Sequence, residues 1–376
     1  MIYFDNGATT YPKPINVLQS TCNALRYDSF NSGRGGYAKS LAAAGKIYSV
    51  REKIAKMFGF EAENVAFTKN CTESLNIAIK GVLEKGDHVI ISSLEHNSVS
   101  RVVNKMQSDG IVEYDIADYS FDDEQTVKNF ESLIKPNTKA VVCMHSSNVF
   151  GVVFPIKQIG EMCKRHNIIF IVDGAQGAGA VDINAKRDNI DILCAPGHKS
   201  LYGPMGMGFI AVKQEIKLNT IAEGGTGSGS LELIQPDFMP DRLESGTLNN
   251  SGIIGLGRGI DFINSVGIEN IYKHEFNLSR ELYRQMSAIK NVKLYTPAPV
   301  YAKSMPIISF NYDDYSSEKV AALLAEKDVC VRAGYHCSPL AHKHFGTLNM
   351  GTVRISLGYF NKTAECHNFV TILKNL

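Results

Sequence analysis

An aspartate, a lysine and a cysteine stand out as residues able to do chemistry. The stretch from Ile168 to Phe209 reads IIFIVDGAQGAGAVDINAKRDNIDILCAPGHKSLYGPMGMGF. Its first apolar run, Ile168–Val172, ends in Asp173, and a Gly/Ala-rich turn follows. Its second, Ile190–Cys194, ends in Ala195-Pro196-Gly197-His198-Lys199. Short apolar runs bounded by Gly and Pro read as buried parallel strands. Open α/β sheets bind ligands at strand C-termini, so Asp173 and Lys199 are expected to meet at one crevice. A buried carboxylate opposite a lysine amine suits pyridoxal phosphate. The amine forms a Schiff base, and the carboxylate keeps the ring nitrogen protonated so that the ring accepts electrons. Each residue alone has an ordinary reading. An Asp after a strand is often a helix cap, and a lysine in a Gly/Pro loop is usually solvated.

The second centre is Arg332-Ala333-Gly334-Tyr335-His336-Cys337-Ser338-Pro339-Leu340. Of the eight cysteines, Cys337 alone lies in a polar loop rich in possible cations: His336, His342, Lys343 and His344. Cationic neighbours favour the nucleophilic thiolate. Zinc is the rival, with Cys337, His342 and His344 as ligands. That spacing lacks a fourth ligand at customary distance, and no metal is expected. Arg354 follows in Gly351-Thr352-Val353-Arg354-Ile355-Ser356. A guanidinium can clamp a carboxylate with two hydrogen bonds, although a strand arginine more often pairs with an acid.

These residues need elements to position them. Residues 1–40 read as irregular, with Tyr11-Pro12-Lys13-Pro14 blocking an early helix and Asn31-Ser32-Gly33-Arg34-Gly35-Gly36 forming a loop. Ser40 to Phe58 has helical spacing and stops at Gly59. Val65–Thr68 reads as a strand, followed by Asn70-Cys71-Thr72-Glu73 and a helix from Ser74 to Leu83. A helix N-terminus after a strand can hold phosphate. His88–Ser92 is the next strand, leading to Glu95-His96-Asn97-Ser98 and another helix. Lys139–Met144 leads to His145-Ser146-Ser147-Asn148-Val149-Phe150-Gly151, then a helix from Pro155 to His166. Strand and helix thus alternate from about 60 to 210, the mark of a mostly parallel sheet covered on both faces.

The pattern changes from about 252. Long amphipathic helices run to Ile289. Pro306–Tyr312, Val329–Arg332 and Val353–Leu357 read as strands, and Ser317–Glu326 and Thr363–Leu376 as helices. The expected α/β organisation is a large domain over 21–255, a smaller α+β C-terminal domain over 256–376, and a segment 1–20 packing beside the small domain. The turn after Asp173 reads G-x-x-G-x-G, which excludes the dinucleotide fingerprint. Gly224–Gly229 lacks the Lys-Ser/Thr ending of a P-loop.

Composition narrows the classes further. The chain has 376 residues, 44% hydrophobic and 20% charged, ordinary values for a globular protein. A net charge of +1 leaves no electrostatic footprint for nucleic acid or an anionic membrane. No apolar run approaches spanning length. The opening MIYFDNGATT has no basic region before Asp5, unlike a signal peptide. A cytoplasmic location is expected, and in such a chain eight scattered cysteines without a C-x-x-C argue against a disulfide framework.

DGAQ, then GHK about 25 residues later, then LYGPMGMG, resembles the class V aminotransferase group of pyridoxal phosphate enzymes. Within that group the chain looks most like the cysteine desulfurases and selenocysteine lyases. The resemblance implies a fold-type I transferase with Lys199 holding the cofactor and Asp173 on the ring nitrogen. It places Gln176 on the ring hydroxyl, His96 stacked on the ring for proton transfer, and Thr72 and His198 at the phosphate. Asn148 would lie beside cofactor and substrate, and Arg354 would clamp the substrate carboxylate. Glu244-Ser245-Gly246-Thr247 matches a segment whose Thr247 reaches the partner subunit's cofactor, implying a homodimer. R-x-G-x-H-C resembles the subgroup with its cysteine on a short, ordered loop. Cys337 would take sulfur from L-cysteine, leaving L-alanine and a persulfide for a protein acceptor. Selenocysteine lyase is the nearest alternative, then an aminotransferase, then a non-catalytic scaffold that binds cofactor or sulfur carrier. The chain departs from its relatives at Pro196, where they carry a phosphate-binding Ser, and in the run CSPLAHKHFG after Cys337.

Overall fold

The computed structural model describes residues 1–33 and 35–376. Arg34 of the expected Gly-rich loop lies outside them. Strand β1 (Ile2–Tyr3) opens the chain, and helix α1 (Ile15–Tyr27) follows where the sequence reads as irregular. The prolines explain the difference. Pro14 is the N-cap of α1 at φ −55. A proline forbids a helix on its N-terminal side but is preorganised to start one. Helix α2 (Ala38–Phe58) stops at Gly59 in the left-handed region, as expected.

The alternating region forms β2 (Val65–Thr68), α3 (Cys71–Val82), β3 (His88–Ser92), α4 (Asn97–Ser108) and β4 (Glu113–Ala117). It continues through α5 (Asp123–Glu131), β5 (Thr138–Met144), α6 (Ile156–Arg165) and β6 (Ile169–Asp173). A short α7 (Ala185–Asp188), β7 (Ile192–Pro196) and β8 (Gly208–Val212) complete it. The seven strands form one sheet in the order β2-β8-β7-β6-β5-β3-β4. Only β8 runs against its neighbours. Side chains alternate between faces along each strand. Phe170 and Val172 therefore join the core beneath α2 and α6, and Ile171 joins the core beneath α3 and α4.

Helices α8 (Asn250–Val266) and α9 (Ile268–Met286) lead to β9 (Val292–Leu294), β10 (Ile307–Tyr312) and α10 (Ser317–Glu326). Then come β11 (Val329–Cys330), α11 (Pro339–His344), β12 (Val353–Ser356) and α12 (Thr363–Lys374). A three-stranded antiparallel sheet, β12-β10-β9, carries this part. Strand β1 pairs in parallel with β11, and Phe4 sits in the C-terminal core. The expected boundary at 255/256 falls inside the continuous helix α8. Ile253, Leu256, Ile260 and Ile263 of α8 pack in the large core, while Leu278, Leu282 and Met286 of α9 pack in the small one. The change of core comes along α9, because its buried stripe is long enough to serve both. No helix among the described residues is long and apolar enough to cross a membrane.

Helix α8 also fixes the loop after β7. A Cβ on Gly259 would lie 2.0 Å from the Leu201 carbonyl, two residues beyond Lys199. Alanine in a helix is otherwise favoured over glycine by about 1 kcal/mol. Here Gly259→Ala is expected to destabilise by about 1–3 kcal/mol through overpacking. A lower urea midpoint would show it, and a raised midpoint would refute the close approach.

Candidate active site

Strands β6 and β7 are adjacent and parallel, with Asp173 in register with Cys194. Asp173 ends β6, and Lys199 follows Pro196 at the end of β7, so both reach the C-terminal edge of the sheet. They line one cavity of about 110 Å³ with Thr72, His96, Asn148, Gln176 and His198. Seven residues expected from sequence thus converge there. Cys71, beside Thr72 in the first turn of α3, lines it as well.

Burial governs the electrostatics. It lowers the Lys199 ammonium to about 8, with the Arg354 charge adding to the effect, so the nucleophilic free amine is within reach near neutral pH. Burial pushes the Asp173 carboxyl up, while the Ala175 N–H, the Lys199 charge and the Cys71 thiol oppose it. Both of the latter hydrogen bonds go to Oδ1, from Ala175 N at 2.8 Å and Cys71 Sγ at 3.5 Å. The His96 imidazole is held down to about 4, by burial first and then by the Lys199 charge, and is neutral. Its Nδ1 accepts the Ser98 N–H at 3.1 Å, which leaves the proton on Nε2. Nδ1 of His198 is buried without a partner.

The N-terminal segment straps this crevice. Gln176 Nε2 donates to the Gly7 carbonyl at 3.1 Å. The His198 carbonyl accepts from Thr10 N at 3.2 Å, Thr9 Oγ1 at 3.1 Å and Lys13 Nζ at 2.5 Å. Asp5 Oδ1 accepts from Arg354 Nη2 at 2.6 Å, and the Asn148 carbonyl accepts from Arg354 Nη1 at 2.9 Å. Arg354 Nε remains buried without a partner. In the sequence Asp5 lies within FDNGATT, with no local pattern that assigns it a role. The signal was an acid in a segment expected to pack beside the small domain.

Cys337 lies on the far side of Asn148. His336 and Cys337 both adopt left-handed backbone, φ 48 and 59. Such residues persist only where the surroundings hold them. Asn97 N donates to the Cys337 carbonyl at 2.7 Å. The Asn148 amide clasps both neighbours: Nδ2 donates to the His336 carbonyl at 2.9 Å, and Oδ1 accepts from Ser338 Oγ at 2.7 Å. Sequence reading missed Asn97 and Ser338, whose roles depend on contacts more than 180 residues apart.

The expected cationic loop needs correction. His336 and His342 are buried, and burial brings their imidazoles down to about 2 and about 4, so both are neutral. His344 Nδ1 faces Asp118 at 3.6 Å. The cation at the thiol is Arg332, with Nη2 3.9 Å from Cys337 Sγ. Among the described residues no group of three His, Cys, Asp or Glu side chains is placed to hold a metal ion.

Thr247 stands apart from these residues. It lines a second cavity of about 400 Å³ with Lys69, Glu73 and Arg242. Glu244 anchors its segment, accepting from Arg51 Nη1 at 2.7 Å and from the Phe67 N–H at 2.6 Å.

The crevice fits pyridoxal phosphate by the chemistry of its donors. Asp173 carries its two protein donors on one oxygen, the α3 N-terminus and the orphaned His198 Nδ1 suit an anion, and an amine at Lys199 suits an aldehyde. Fold and site together define a fold-type I pyridoxal-phosphate-dependent enzyme. The chain belongs to the aminotransferase class-V family, whose model matches residues 2–369. A relative from Methanothermobacter thermautotrophicus named "probable cysteine desulfurase" is 32% identical, over 97% of this chain and 92% of its own. One of the same name from Pyrococcus abyssi is 31% identical over 100% and 94%. A solved apo structure of a cysteine desulfurase from Thermococcus onnurineus NA1 superimposes with a TM-score of 0.92 at 30% identity, covering 100% of this chain and 94% of that one.

The buried imidazoles predict acid sensitivity. His96, His145, His198 and His342 are lowered to about 4, and His336 to about 2, chiefly by burial. An unfolded histidine titrates at about 6.5. Below that value the unfolded chain binds protons that the folded chain refuses until about pH 4, so stability falls as pH drops through this window. Glu95 and Glu275, raised to about 8 by burial, act the other way between about 4.5 and 8. His88, lowered by burial, joins the histidines, while Asp173 and Asp191, which burial also raises, act with the glutamates. The histidines outnumber them on the acid side. The urea midpoint of the apoprotein should be lower at pH 5 than at pH 7, and an equal or higher midpoint would contradict this assignment.

Proposed function

We propose that this protein is a cysteine desulfurase that converts L-cysteine to L-alanine and leaves a persulfide on Cys337. One observation carries the reading. An exposed thiol stands on a turn that Asn148 ties directly to the cavity of Lys199 and Asp173. An aminotransferase has no use for such a thiol, and a mere scaffold has no use for a lysine amine lowered toward neutrality.

When bound, pyridoxal phosphate supplies an electron sink for charge developing at the substrate Cα. Lys199 holds it and then moves the Cα proton at Nζ. Asp173 keeps the ring nitrogen protonated. Thr72, His198 and the first turn of α3 hold the phosphate, with Pro196 contributing no hydroxyl or N–H. Gln176 serves the ring hydroxyl. Neutral His96 offers its Nε2 proton beside the ring. Arg354, aimed by Asp5 and Asn148, receives the substrate carboxylate. Cys337 Sγ attacks the substrate sulfur: an S–S bond forms, the substrate C–S bond breaks, and Cα and Cβ keep the carbon skeleton of alanine. The electron pair of the broken C–S bond stays on Cβ, which gains one proton to become the alanine methyl, balancing the proton that Cys337 gives up, and the persulfide passes its outer sulfur to a protein acceptor. L-Selenocysteine fits the same groups.

Cys337→Ala should retain cofactor and bind L-cysteine, yet lose alanine formation by at least a hundredfold. Mass spectrometry of the parent after cysteine treatment should find one added sulfur on the Cys337 peptide. Parent-like desulfurase turnover in the alanine variant would overturn the assignment.

The same reading makes the protein a homodimer in the cytoplasm. Ile15, Leu18 and Leu25 expose an apolar face of α1, and Leu231, Leu233 and Ile234 stand in solvent at 100%, 105% and 81% exposure. All eight cysteines are free. Thr247 then reaches the cofactor phosphate of the partner subunit. Sedimentation should show a dimer, and Thr247→Ala should release cofactor roughly tenfold faster on dialysis. A monomer that keeps full cofactor would contradict it.

A further inference from the structure

Cys71 has no part in the chemistry described so far. It occupies the first position of α3, immediately before Thr72. Its side chain is buried, and it lines the same cavity as Lys199. Sγ lies 3.5 Å from Asp173 Oδ1, donating the thiol hydrogen. The Ala175 N–H reaches that same oxygen at 2.8 Å. Two donors on one side of a carboxylate fix its rotation, and the other oxygen is left to serve the cavity. The first turn of α3 would then anchor both ends of a bound cofactor, the phosphate through Thr72 and the ring nitrogen through Cys71 and Asp173.

We propose that Cys71 is a positioning residue that orients Asp173 and holds it ionised against the cofactor ring nitrogen. The proposal rests on the cofactor reading of this crevice. A nucleophilic role for the same thiol does not fit. Burial and the neighbouring Asp173 push the Cys71 thiol well above its ordinary value, so it keeps its hydrogen and donates. The groups facing Asp173 from the surrounding elements are Cys194 on β7, Cys143 on β5, Glu95 after β3, and Lys199. Lys199 is the cation among them, and a lysine engaged with the cofactor no longer offers a free ammonium. The Ala175 N–H and the Cys71 thiol are then the groups that support the carboxylate against burial.

The sign of the effect follows. Without the thiol donor, Asp173 becomes more basic and takes a larger share of the ring-nitrogen proton. The ring becomes less electron-poor, and the Lys199–cofactor chromophore holds its own proton to higher pH. Spectrophotometric pH titration of the holoenzyme, without substrate, reads this directly. Cys71→Ala and Cys71→Val should raise the midpoint by about one pH unit, a tenfold change in the ionisation constant. Both should also release cofactor several-fold faster on dialysis. Cys71→Ser keeps a donor in similar volume and should stay close to the parent. The valine variant preserves packing, so its midpoint separates lost donation from a cavity.

Unmoved midpoints and release rates in the alanine and valine variants would overturn the proposal. So would an equal shift in the serine variant, since volume rather than donation would then be responsible. A parent that forms no lysine-linked chromophore would overturn the cofactor reading and this proposal together. A parent chromophore with unmoved variants would overturn this proposal alone.

Discussion

Arg354 is the charge around which the three parts of the chain meet. Its side chain is 1% exposed, and it rises from β12 of the small C-terminal sheet. Asp5 reaches it from the N-terminal segment, and the Asn148 carbonyl reaches it from the end of β5. A buried guanidinium without partners would be strongly destabilising, and breaking such a pair costs about 3–5 kcal/mol. The pairing therefore commits the N-terminal segment, the large sheet and the small sheet to one arrangement. The same N-terminal segment then runs on to the carbonyl of His198, next to Lys199. A guanidinium with a carboxylate partner and a carbonyl partner thus also sets the geometry of the crevice beside it.

Asn148 repeats this economy on the other side of the cavity. Its carbonyl serves Arg354, and its amide holds the residues on either side of Cys337. The cysteine turn carries two consecutive left-handed non-glycine residues, each costing on the order of 1–3 kcal/mol. Hydrogen bonds from three separate elements hold it: Asn97 at the start of α4, Asn148 after β5, and Thr352 before β12, whose N–H and carbonyl pair with Gly334 at 3.1 Å. A thiol fixed in this way is presented at one place, and Arg332 beside it supplies the positive charge. His336 and His342 cannot, because a neutral imidazole costs far less to bury than a charged one.

Much of this arrangement was legible in the sequence. Strand–helix alternation and apolar runs identified the parallel sheet, since buried strands must be apolar and their ends must turn. The ends of two runs then located Asp173 and Lys199, because strand C-termini share one edge whatever the details of packing. Val65–Thr68, His88–Ser92 and Ser317–Glu326 are elements with the very limits that local pattern suggested. Helix α1 escapes local pattern because a proline stops a helix on one side and starts one on the other, and Pro14 starts this one.

What only the tertiary structure decided are pairings between distant residues and the charges that burial allows. Sequence spacing put four possible cations around Cys337, yet the fold buries two of them as neutral rings and turns Arg332 toward the sulfur. Asp5 and Arg354 are 349 residues apart, and Cys71 and Asp173 are 102 apart. Periodicity reports which face of an element is buried, and motifs report which chemistry is available. Neither reports which buried polar group answers which, because that depends on how complete elements pack against one another.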